Sequence, residues 1–376
     1  MRIIPRHAIG LSSREFGALG RAAVRGHLSR GPEVAAFEAA FAAAGGVAHA
    51  LGVSSGRSAW YVILKALGLE PGDEVLVPGY TYFVVPEIVS LLGLRPVFLD
   101  VSRETYTVLP AEIEKKVTAR TRAIVVEHVF GMPCPIEEIE AVAARRNLVL
   151  IEDCAQAIGA LADEHGRHVG TVGELGAFSF FSKKQLCVGE GGMVATADEE
   201  MAARVRLLRS HAMTSTTWDR HRGHDPAYDV VDIGFNYRLD EPRAALGLSR
   251  IERLDKDIAR RRELVRSYRE RLTGIAGLEL PFDEPAVERS SHFAFPVLLA
   301  DRETRDRFRD DLKADGIQTT WYPALHSFTE YRAIAPTDGL PHATEVAGRH
   351  CALPLSSTMD EAKLEMVVAA VRAALA

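Results

Sequence analysis

Cysteine is scarce in this 376-residue chain, and long apolar runs are lacking. The four cysteines lie far apart and without C-x-x-C spacing, which argues against a structural zinc site and against a disulfide framework. No apolar stretch approaches the roughly 18 residues of a membrane span. The first residues also lack the apolar core of a signal peptide. We therefore expect a cytoplasmic protein that has no membrane-bound part.

An excess of one charge is lacking as well. The 45 Lys and Arg residues and the 51 Asp and Glu residues give a net charge of −6, with no long run of either sign. Bulk nucleic-acid binding is therefore not expected. The length allows one large domain together with a smaller one.

Short apolar runs alternate with helical patterns in the first half of the chain. Two helices are predicted in the first 45 residues, and strands then follow near 49–53, 74–78, 96–100, 122–127 and 148–152. The helical patterns between them lie near 57–68, 83–92, 110–117 and 135–146. Apolar strands separated by helices are typical of a mostly parallel sheet covered on both faces. Ligands bind such sheets at the carboxyl ends of the strands.

The pattern changes beyond about residue 240. Strands are predicted at 177–181 and 192–196. One long charged helix, either straight or bent, is predicted over 241–273. Strands at 291–299 and 317–321 and helices at 302–315 and 360–375 follow. We predict a large α/β domain over residues 1–247 and a smaller α+β domain over residues 248–376.

A lysine in an apolar setting is the first candidate for chemistry. Lys184 follows the predicted strand that carries Ser179 and precedes the glycine-rich run 189–192. Removal of an amine from water lowers its pKa and makes it a usable nucleophile. Lys183 is the adjacent alternative, and most lysines are solvated surface charges. Spacing alone does not separate the two.

Asp153 ends an apolar strand and is the second candidate. One interpretation is a helix N-cap. The other places its carboxylate against the ring nitrogen of pyridoxal phosphate, a cofactor that also needs an amine for an imine and donors for its phosphate. Gln156, one turn further, would then reach the ring hydroxyl. Glu152 alternates to the other side of the strand and is the weaker candidate.

A turn with small residues joins the first strand to the next helix at Ser54-Ser55-Gly56-Arg57-Ser58. The free N–H groups of such a turn bind anions, although strand–glycine–helix turns are common. Together with Ser179 and the Lys184 loop, the turn is a candidate phosphate site.

Two ring-bearing side chains lie at further strand ends. Tyr82 would either stack on a cofactor face or pack in the core. His128 ends the strand near 122–127 and would either be satisfied by backbone contacts or face the same site. The carboxyl ends of several strands thus carry candidates, which together are stronger evidence than any one motif.

With these residues in place, the chain closely resembles the sugar aminotransferase (DegT) family of fold-type I PLP-dependent enzymes. The resemblance covers nearly the whole chain and includes the motifs Ser54-Ser55-Gly56, Pro71-Gly72-Asp73-Glu74-Val75, His128-Val129-Phe130-Gly131, Asp153-Cys154-Ala155-Gln156-Ala157, Phe178-Ser179-Phe180, Gly189-Glu190-Gly191-Gly192, Gly234-Phe235-Asn236-Tyr237-Arg238, Trp321-Tyr322-Pro323-Ala324-Leu325-His326 and Leu353-Pro354-Leu355. It implies a large domain with a mostly parallel, seven-stranded type of sheet between helices and a smaller C-terminal α+β domain.

The resemblance also implies a role for each matching residue. The Schiff-base lysine stands five residues after the serine of the F-S-F motif, which selects Lys184 over Lys183. The remaining implied contacts with the cofactor are Asp153 at the ring nitrogen, Gln156 near the ring hydroxyl, Ser179 and the Gly56 turn on the phosphate, Tyr82 as the stacking aromatic, and Asn236 reaching the phosphate of a partner subunit. Arg57 stands where threonine is common, so the hydroxyl contact is expected from Ser58.

The implied reaction is amino transfer through a Lys184 imine in a homodimer with shared active sites. By resemblance, the donor is L-glutamate and the acceptor is a ketone on a nucleotide-linked keto-sugar or on a keto-cyclitol. Tyr322 and His326 are candidates for the substrate mouth, and a structural loop is an equally good interpretation of both.

Three other functions fit the sequence less well. A PLP-dependent sugar dehydratase shares the scaffold, but the resemblance implies histidine in place of Lys184 there. A non-catalytic ligand sensor has no need of an imine-forming amine. A nicotinamide-dependent oxidoreductase would need a G-x-G-x-x-G after the first strand, which is missing.

Overall fold

A seven-stranded sheet forms the centre of the computed structural model, which describes residues 3–7, 10–26, 28–214, 228–333 and 339–376. Its strands are β1 (His49–Val53), β2 (Glu74–Pro78), β3 (Arg95–Leu99), β4 (Thr121–Glu127), β5 (Val149–Asp153), β6 (Leu175–Ser179) and β7 (Gly192–Thr196). They lie in the order β1-β7-β6-β5-β4-β2-β3. The strand β7 pairs antiparallel with both β1 and β6, and all other neighbouring strands pair parallel. The predicted mostly parallel sheet is therefore confirmed.

Helices cover both faces of this sheet. The α-helices of the described residues, which include those of the C-terminal part, are α1 (Ser13–Val24), α2 (Pro32–Gly45), α3 (Gly56–Ala66), α4 (Val84–Leu91), α5 (Pro110–Lys116), α6 (Ile136–Arg146), α7 (Glu199–Leu208), α8 (Glu241–Ile251), α9 (Leu254–Leu272), α10 (Glu284–Arg289), α11 (Arg302–Ala314), α12 (Thr329–Arg332), α13 (Pro341–Arg349) and α14 (Glu361–Ala374). One apolar core includes α3, α4 and α7, and a second includes α2, α6 and α8. The predicted α/β layering is confirmed.

Alternation along the strands decides which face each side chain meets. Val125 of β4 and Ile151 of β5 belong to the core with α3, whereas Val126 and Leu150 belong to the core with α2. Successive side chains of a strand point to opposite faces. The last residues of β4 and β5 therefore direct their side chains alternately to the two sides of the sheet.

The sequence signals for helix starts are visible in the structure. Ser12 and Glu15 form the capping box expected at the start of α1, and Pro32 occupies the first turn of α2. The Ser55 hydroxyl accepts a hydrogen bond from the Ser58 N–H and so begins α3. This cap fixes the turn that follows β1.

The C-terminal part of the chain departs from the expected elements at two places. The long helix predicted over 241–273 is two helices, because the chain leaves helical geometry at Arg253. The prediction of a strand at 317–321 is wrong, because Ile317 and Thr320 make only isolated bridges, to Ile4 and to Ala352. The second sheet consists of β8 (Phe295–Leu298) and β9 (His350–Leu353), which pair antiparallel. The domain boundary at 247 stays a prediction.

The helices of the described part of the chain are too short or too polar to cross a membrane.

Candidate active site

Two carboxyl groups emerge side by side where β4 and β5 end. Glu127 and Asp153 are register partners in these parallel strands, and both are buried. Partners on adjacent strands are about 5 Å apart and point to the same face. Their face is the one covered by α3, since each lies two residues beyond Val125 or Ile151. The pair defines the floor of the candidate site.

Asp153 is held by the backbone that follows its strand. Its Oδ1 accepts a hydrogen bond from the Ala155 N–H at 2.9 Å. Burial raises the pKa of the Asp153 carboxyl, while the Ala155 N–H and the Lys184 amine act to lower it. The Trp60 side chain also acts to lower it, yet burial prevails. A buried carboxylate in this setting is suited to a cationic partner.

Glu127 is a site residue that sequence reasoning missed. Its Oε1 accepts a hydrogen bond from Gln156 Nε2 at 2.8 Å, and its Oε2 has no hydrogen-bond partner among the described residues. Burial, together with the charge of Asp153, raises the pKa of Glu127 to about 8. The signal was present in the sequence, because Glu127 ends an otherwise apolar strand, but only the register with β5 places it beside Asp153.

Lys184 is the amine of this site. Its Nζ lies 4.9 Å from the ring centroid of Phe293, and its side chain is half-buried, whereas Lys183 is exposed. Burial lowers the pKa of Lys184 to about 8, although the charges of Asp153 and Glu127 act to raise it. The structure thus separates the two adjacent lysines by exposure and brings Lys184 into electrostatic contact with both carboxyl groups.

Gln156 links the carboxyl pair to a small cavity. Its Oε1 accepts a hydrogen bond from the Phe130 N–H at 3.1 Å, so its amide nitrogen is directed at Glu127. Gln156, Glu127, Tyr82 and Tyr322 all line this cavity. Tyr322, one of the two residues predicted at the substrate mouth, therefore lies at this cavity.

A close contact joins the turn after β1 to the end of β6. A Cβ atom at Gly56 would lie 2.8 Å from Ser179 Cβ and 3.1 Å from Ser179 Oγ, so only glycine fits there without a shift. The contact brings the start of α3 and the Ser179 hydroxyl together. The N-terminal N–H groups of a helix beside a hydroxyl suit a phosphate.

The side chains of Arg57 and Ser58 are already bound to other protein groups and are not free to bind a phosphate in this structure. The Arg57 guanidinium forms two hydrogen bonds of 2.7 Å with the Glu87 carboxylate, and both side chains are partly exposed. The Ser58 hydroxyl lies 2.9 Å from Ser54 Oγ and 2.7 Å from Ser55 Oγ. What these two residues offer to the site in this structure is their backbone at the helix start.

Tyr82 and Asn236 are exposed in the isolated chain. Tyr82 is 54% exposed and its ring centroid lies 4.4 Å from that of Phe83. Asn236 is exposed beside Tyr237, whose carbonyl accepts a hydrogen bond from the Ser54 N–H at 2.8 Å. The interpretation that Tyr82 packs in the core is therefore wrong.

His128 faces away from the cavity. Its Nε2 lies 2.8 Å from Glu152 Oε2, and its Nδ1 accepts a hydrogen bond from the Cys134 N–H at 3.2 Å. Glu152 also accepts hydrogen bonds from the N–H groups of Gly170, Val172 and Gly173. His128, Glu152 and Cys154 are close enough to hold a metal ion, but these protein partners already occupy the histidine and the carboxylate.

His326 lies in a short helical turn and is buried. Its Nε2 lies 2.9 Å from Thr344 Oγ1, and the N–H of the preceding Leu325 donates to the Gly79 carbonyl. It is not among the residues that line the cavity with Tyr322. The structure thus brings Tyr322 but not His326 to the carboxyl pair.

Arg6 is a second site residue that sequence reasoning did not single out. Its guanidinium donates a hydrogen bond to the Tyr322 hydroxyl and lies 5.6 Å from the Phe293 ring centroid. The charge of Arg6 contributes to the lowered pKa of Lys184. No local sequence signal indicates this placement, because it depends on the N-terminal segment pairing with Ile317 through Ile4.

The loop after β4 holds Phe293 against Lys184. Phe130 and Gly131 adopt left-handed backbone conformations, with φ values of 55° and 91°. Their carbonyls accept hydrogen bonds from the Phe293 and Ser291 N–H groups, and a Cβ atom at Gly131 would lie 2.8 Å from the His292 nitrogen. This glycine therefore allows the segment to approach the site.

The residues present fit pyridoxal phosphate. Glu127 lines the cavity and has a buried oxygen without a hydrogen-bond partner among the described residues. Beside it on the sheet lies the Asp153 carboxylate for a ring nitrogen, and the charge of the Lys184 amine, which an imine requires, acts on both carboxyl groups. The contact between Gly56 and Ser179 leaves helix N–H groups and a hydroxyl for a phosphate.

Comparisons with known proteins agree with this chemistry. The sequence matches the model of the DegT/DnrJ/EryC1/StrS aminotransferase family over residues 11–372. The chain is similar to the aminotransferase TlmJ from Streptoalloteichus hindustanus, with 30% identity, a TM-score of 0.92 and coverage of 100% of this chain and 99% of that one.

Two further solved structures are similar over almost their whole length. DesV from S. venezuelae, solved in complex with a ketimine intermediate, is 35% identical with a TM-score of 0.88, and 96% of this chain and 93% of that chain are covered. The sugar aminotransferase CalS13 from Micromonospora echinospora is 28% identical with a TM-score of 0.89, and the coverage is 99% and 100%.

Proposed function

Because this chain belongs to the DegT/DnrJ/EryC1/StrS aminotransferase family, we propose that it transfers the amino group of L-glutamate to a ketone on a nucleotide-linked sugar. It is a PLP-dependent aminotransferase, and the donor, the acceptor and the residue roles are what the proposal adds. The observation that carries the proposal is the Lys184 amine, half-buried and acted on by the charges of Asp153 and Glu127.

In this proposal the residues of the sheet edge hold pyridoxal phosphate. Asp153 would bind its ring nitrogen and Gln156 its ring hydroxyl, while Ser179 and the Gly56 turn would bind its phosphate. Tyr82, which lines the same cavity, would contact the face of the ring. When bound, the cofactor supplies an electron sink that makes the α-proton of an amino acid acidic.

Lys184 would carry the proton during transfer. Its lowered pKa leaves a sizeable share of neutral amine near neutral pH, so Nζ can accept a proton from the donor carbon and return it later. Asp153 would keep its negative charge throughout and stabilise the protonated ring nitrogen. The Phe293 ring keeps water from one side of Nζ.

The acceptor is proposed from the relatives together with the site. A similar protein, CalS13, is described as a sugar aminotransferase. Tyr322 lines the cavity and is hydrogen-bonded by Arg6, so this pair would contact the substrate. His326 does not line the cavity, and it would contact the substrate only at the outer part of the site.

We propose a homodimer with shared active sites. An exposed apolar strip on this chain includes Tyr228, Val230, Val231 and Ile233, each more than half exposed, and Asn236 lies three residues further along the chain. Burial of such a strip against a second copy would remove apolar surface from water. Asn236 would then reach the phosphate bound by the partner subunit.

The two adjacent lysines provide the decisive experiment. We expect purified protein to be yellow, and Lys184→Ala to lose the absorbance of the lysine imine and to slow amino transfer by at least about 100-fold, because the amine that forms the imine and carries the proton is gone. Lys183→Ala, the matched control, should keep both. Absorbance spectra would measure the bound imine. The rate at which L-glutamate converts the cofactor to its amine form in a single turnover would measure amino transfer.

A colourless protein that stays colourless with added pyridoxal phosphate would contradict the proposal. The acceptor is tested separately, by glutamate-dependent amination of a panel of nucleotide-linked keto-sugars and keto-cyclitols. Turnover of keto-cyclitols alone would replace the proposed acceptor and leave the aminotransferase assignment intact.

A further inference from the structure

Glu127 is a buried carboxyl group for which the proposed reaction has no role. It is 3% exposed and ends β4, directly beside Asp153 of β5. Glu127 lines the cavity, its Oε1 accepts a hydrogen bond from Gln156, and its Oε2 is buried without a partner among the described residues. A buried polar atom without a partner is costly, so a group that binds there is expected to satisfy it.

The charges around Glu127 favour its neutral form. Asp153 lies beside it, and two carboxyl groups this close do not readily ionise together. Asp153 has the Ala155 N–H as a donor and is close to the Lys184 amine, so Asp153 is the member that carries the charge. Burial raises the pKa of Glu127 in the same direction.

The other groups that face Glu127 come from three segments. Tyr82 follows β2, Gln156 follows β5, and Tyr322, hydrogen-bonded by Arg6, completes the cavity. Lys184 is the cation whose charge acts on Glu127. The Thr81 hydroxyl and the Tyr82 N–H also act to lower the pKa of Glu127, but neither meets Oε2 with hydrogen-bond geometry.

We propose that Glu127 hydrogen-bonds the ring hydroxyl of bound pyridoxal phosphate and shares this contact with Gln156. The inference rests on the proposed function, in which Gln156 is the residue near that hydroxyl. Gln156 Nε2 is 2.8 Å from Glu127 Oε1, so a group that reaches this amide also comes within reach of Glu127. The free Oε2 supplies the second contact.

The protonation state of Glu127 sets the sign of its effect. As a neutral acid it donates its proton to the ring oxygen of the cofactor and carries no charge that would repel that oxygen. Once ionised, it faces the same oxygen with a negative charge. Cofactor affinity is therefore expected to fall as the pH rises through the ionisation of Glu127.

Binding of pyridoxal phosphate to the apoprotein tests the proposal. The dissociation constant is measured at pH 7 and pH 9 for the wild type, Glu127→Gln and Glu127→Val. Glu127→Val should bind about fivefold more weakly at pH 7, the value of one neutral hydrogen bond. Glu127→Gln keeps a neutral donor, so it should match the wild type at pH 7 and bind more tightly than the wild type at pH 9.

A second measurement uses the absorbance of the loaded protein. A donor on the ring oxygen changes the pH midpoint of the long-wavelength band, so Glu127→Val should shift that midpoint. Glu74→Gln is the matched control, because Glu74 is also a buried strand carboxyl but lies at the opposite end of β2, against Thr118 and Thr121. It should alter neither the affinity nor the midpoint.

Equal dissociation constants for the wild type and Glu127→Val at both pH values would overturn the proposal. If Glu127→Val does not fold, Glu127→Gln decides, and a pH dependence identical to that of the wild type would overturn it. A wild type that binds no pyridoxal phosphate would instead contradict the proposed function.

Discussion

Glu152 and Asp153 are consecutive residues of one strand, yet their surroundings are opposite. Glu152 faces the core with α2, where three backbone N–H groups and His128 satisfy its carboxylate. Asp153 lies on the opposite face, beside the cavity-lining Glu127, where the Ala155 N–H donates to it and the Trp60 side chain also acts to lower its pKa. Glu152 therefore has a lowered pKa despite its burial, whereas burial leaves the pKa of Asp153 raised.

The neighbouring strand repeats this contrast. His128 joins Glu152 on the satisfied side, where its pKa is raised despite burial, and Glu127 joins Asp153 on the unsatisfied side. One side of the sheet edge thus holds a completed structural network. The other side holds two carboxyl groups whose pKa values stay raised because their protein partners do not offset their burial, and perturbed pKa values of this kind are common at functional sites.

The largest expected effect comes from breaking the satisfied network. Glu152→Gln replaces an acceptor of several N–H groups and leaves His128 without its carboxylate, so the free energy of unfolding should fall by about 3–5 kcal/mol. Denaturant titration of the apoprotein measures this loss.

Asp153→Asn is the matched variant on the other side. It should leave the free energy of unfolding nearly unchanged, because a poorly satisfied buried charge is removed, and slow amino transfer by about 100-fold or more. Equal losses of stability in the two variants would show that the contrast between the two sides is wrong.

A smaller effect concerns the pH dependence of stability. The pKa of Glu127 is raised from 4.5 to about 8 in the folded protein, so the folded state binds more protons between these values. The stability due to this group is complete below pH 4.5 and lost by about pH 8. Glu127→Gln cannot ionise, so its melting temperature relative to the wild type should rise from pH 5 to pH 9. Parallel melting curves across this range would contradict the raised pKa.

The smallest effect is expected at Arg57. Its guanidinium is engaged with Glu87 at a partly exposed position, where such a pair contributes about 1 kcal/mol or less. Arg57→Gln should change the affinity for pyridoxal phosphate less than about twofold, since the backbone N–H remains. Loss of tenfold or more would mean that the guanidinium leaves Glu87 to bind the phosphate.

The fold was largely predictable because its strands are short, apolar and separated by amphipathic helices. All seven strands of the main sheet lie within two residues of their predicted positions. The errors occur where local pattern does not decide. Residues 317–321 alternate like a strand but meet no continuous partner, and the helix break at Arg253 has neither a proline nor a glycine to announce it.

The site was predictable where a residue carries its own signal and was missed where the signal depends on register. Asp153 and the pair Lys183 and Lys184 were found from their positions beside apolar strands, and the family resemblance then selected Lys184. Glu127 was overlooked in favour of the adjacent His128, because only the pairing of β4 with β5 shows which of the two faces the cavity. Arg6 depends on a contact with residues more than 300 positions away, which no local pattern encodes.

The contact between Gly56 and Ser179 has a consequence for how this protein can evolve. Any side chain at position 56 would collide with the serine, and a larger residue at position 179 would meet the backbone of α3. The two positions, distant in sequence, therefore form a single steric unit. Among descendants of this chain they are expected to change together or not at all.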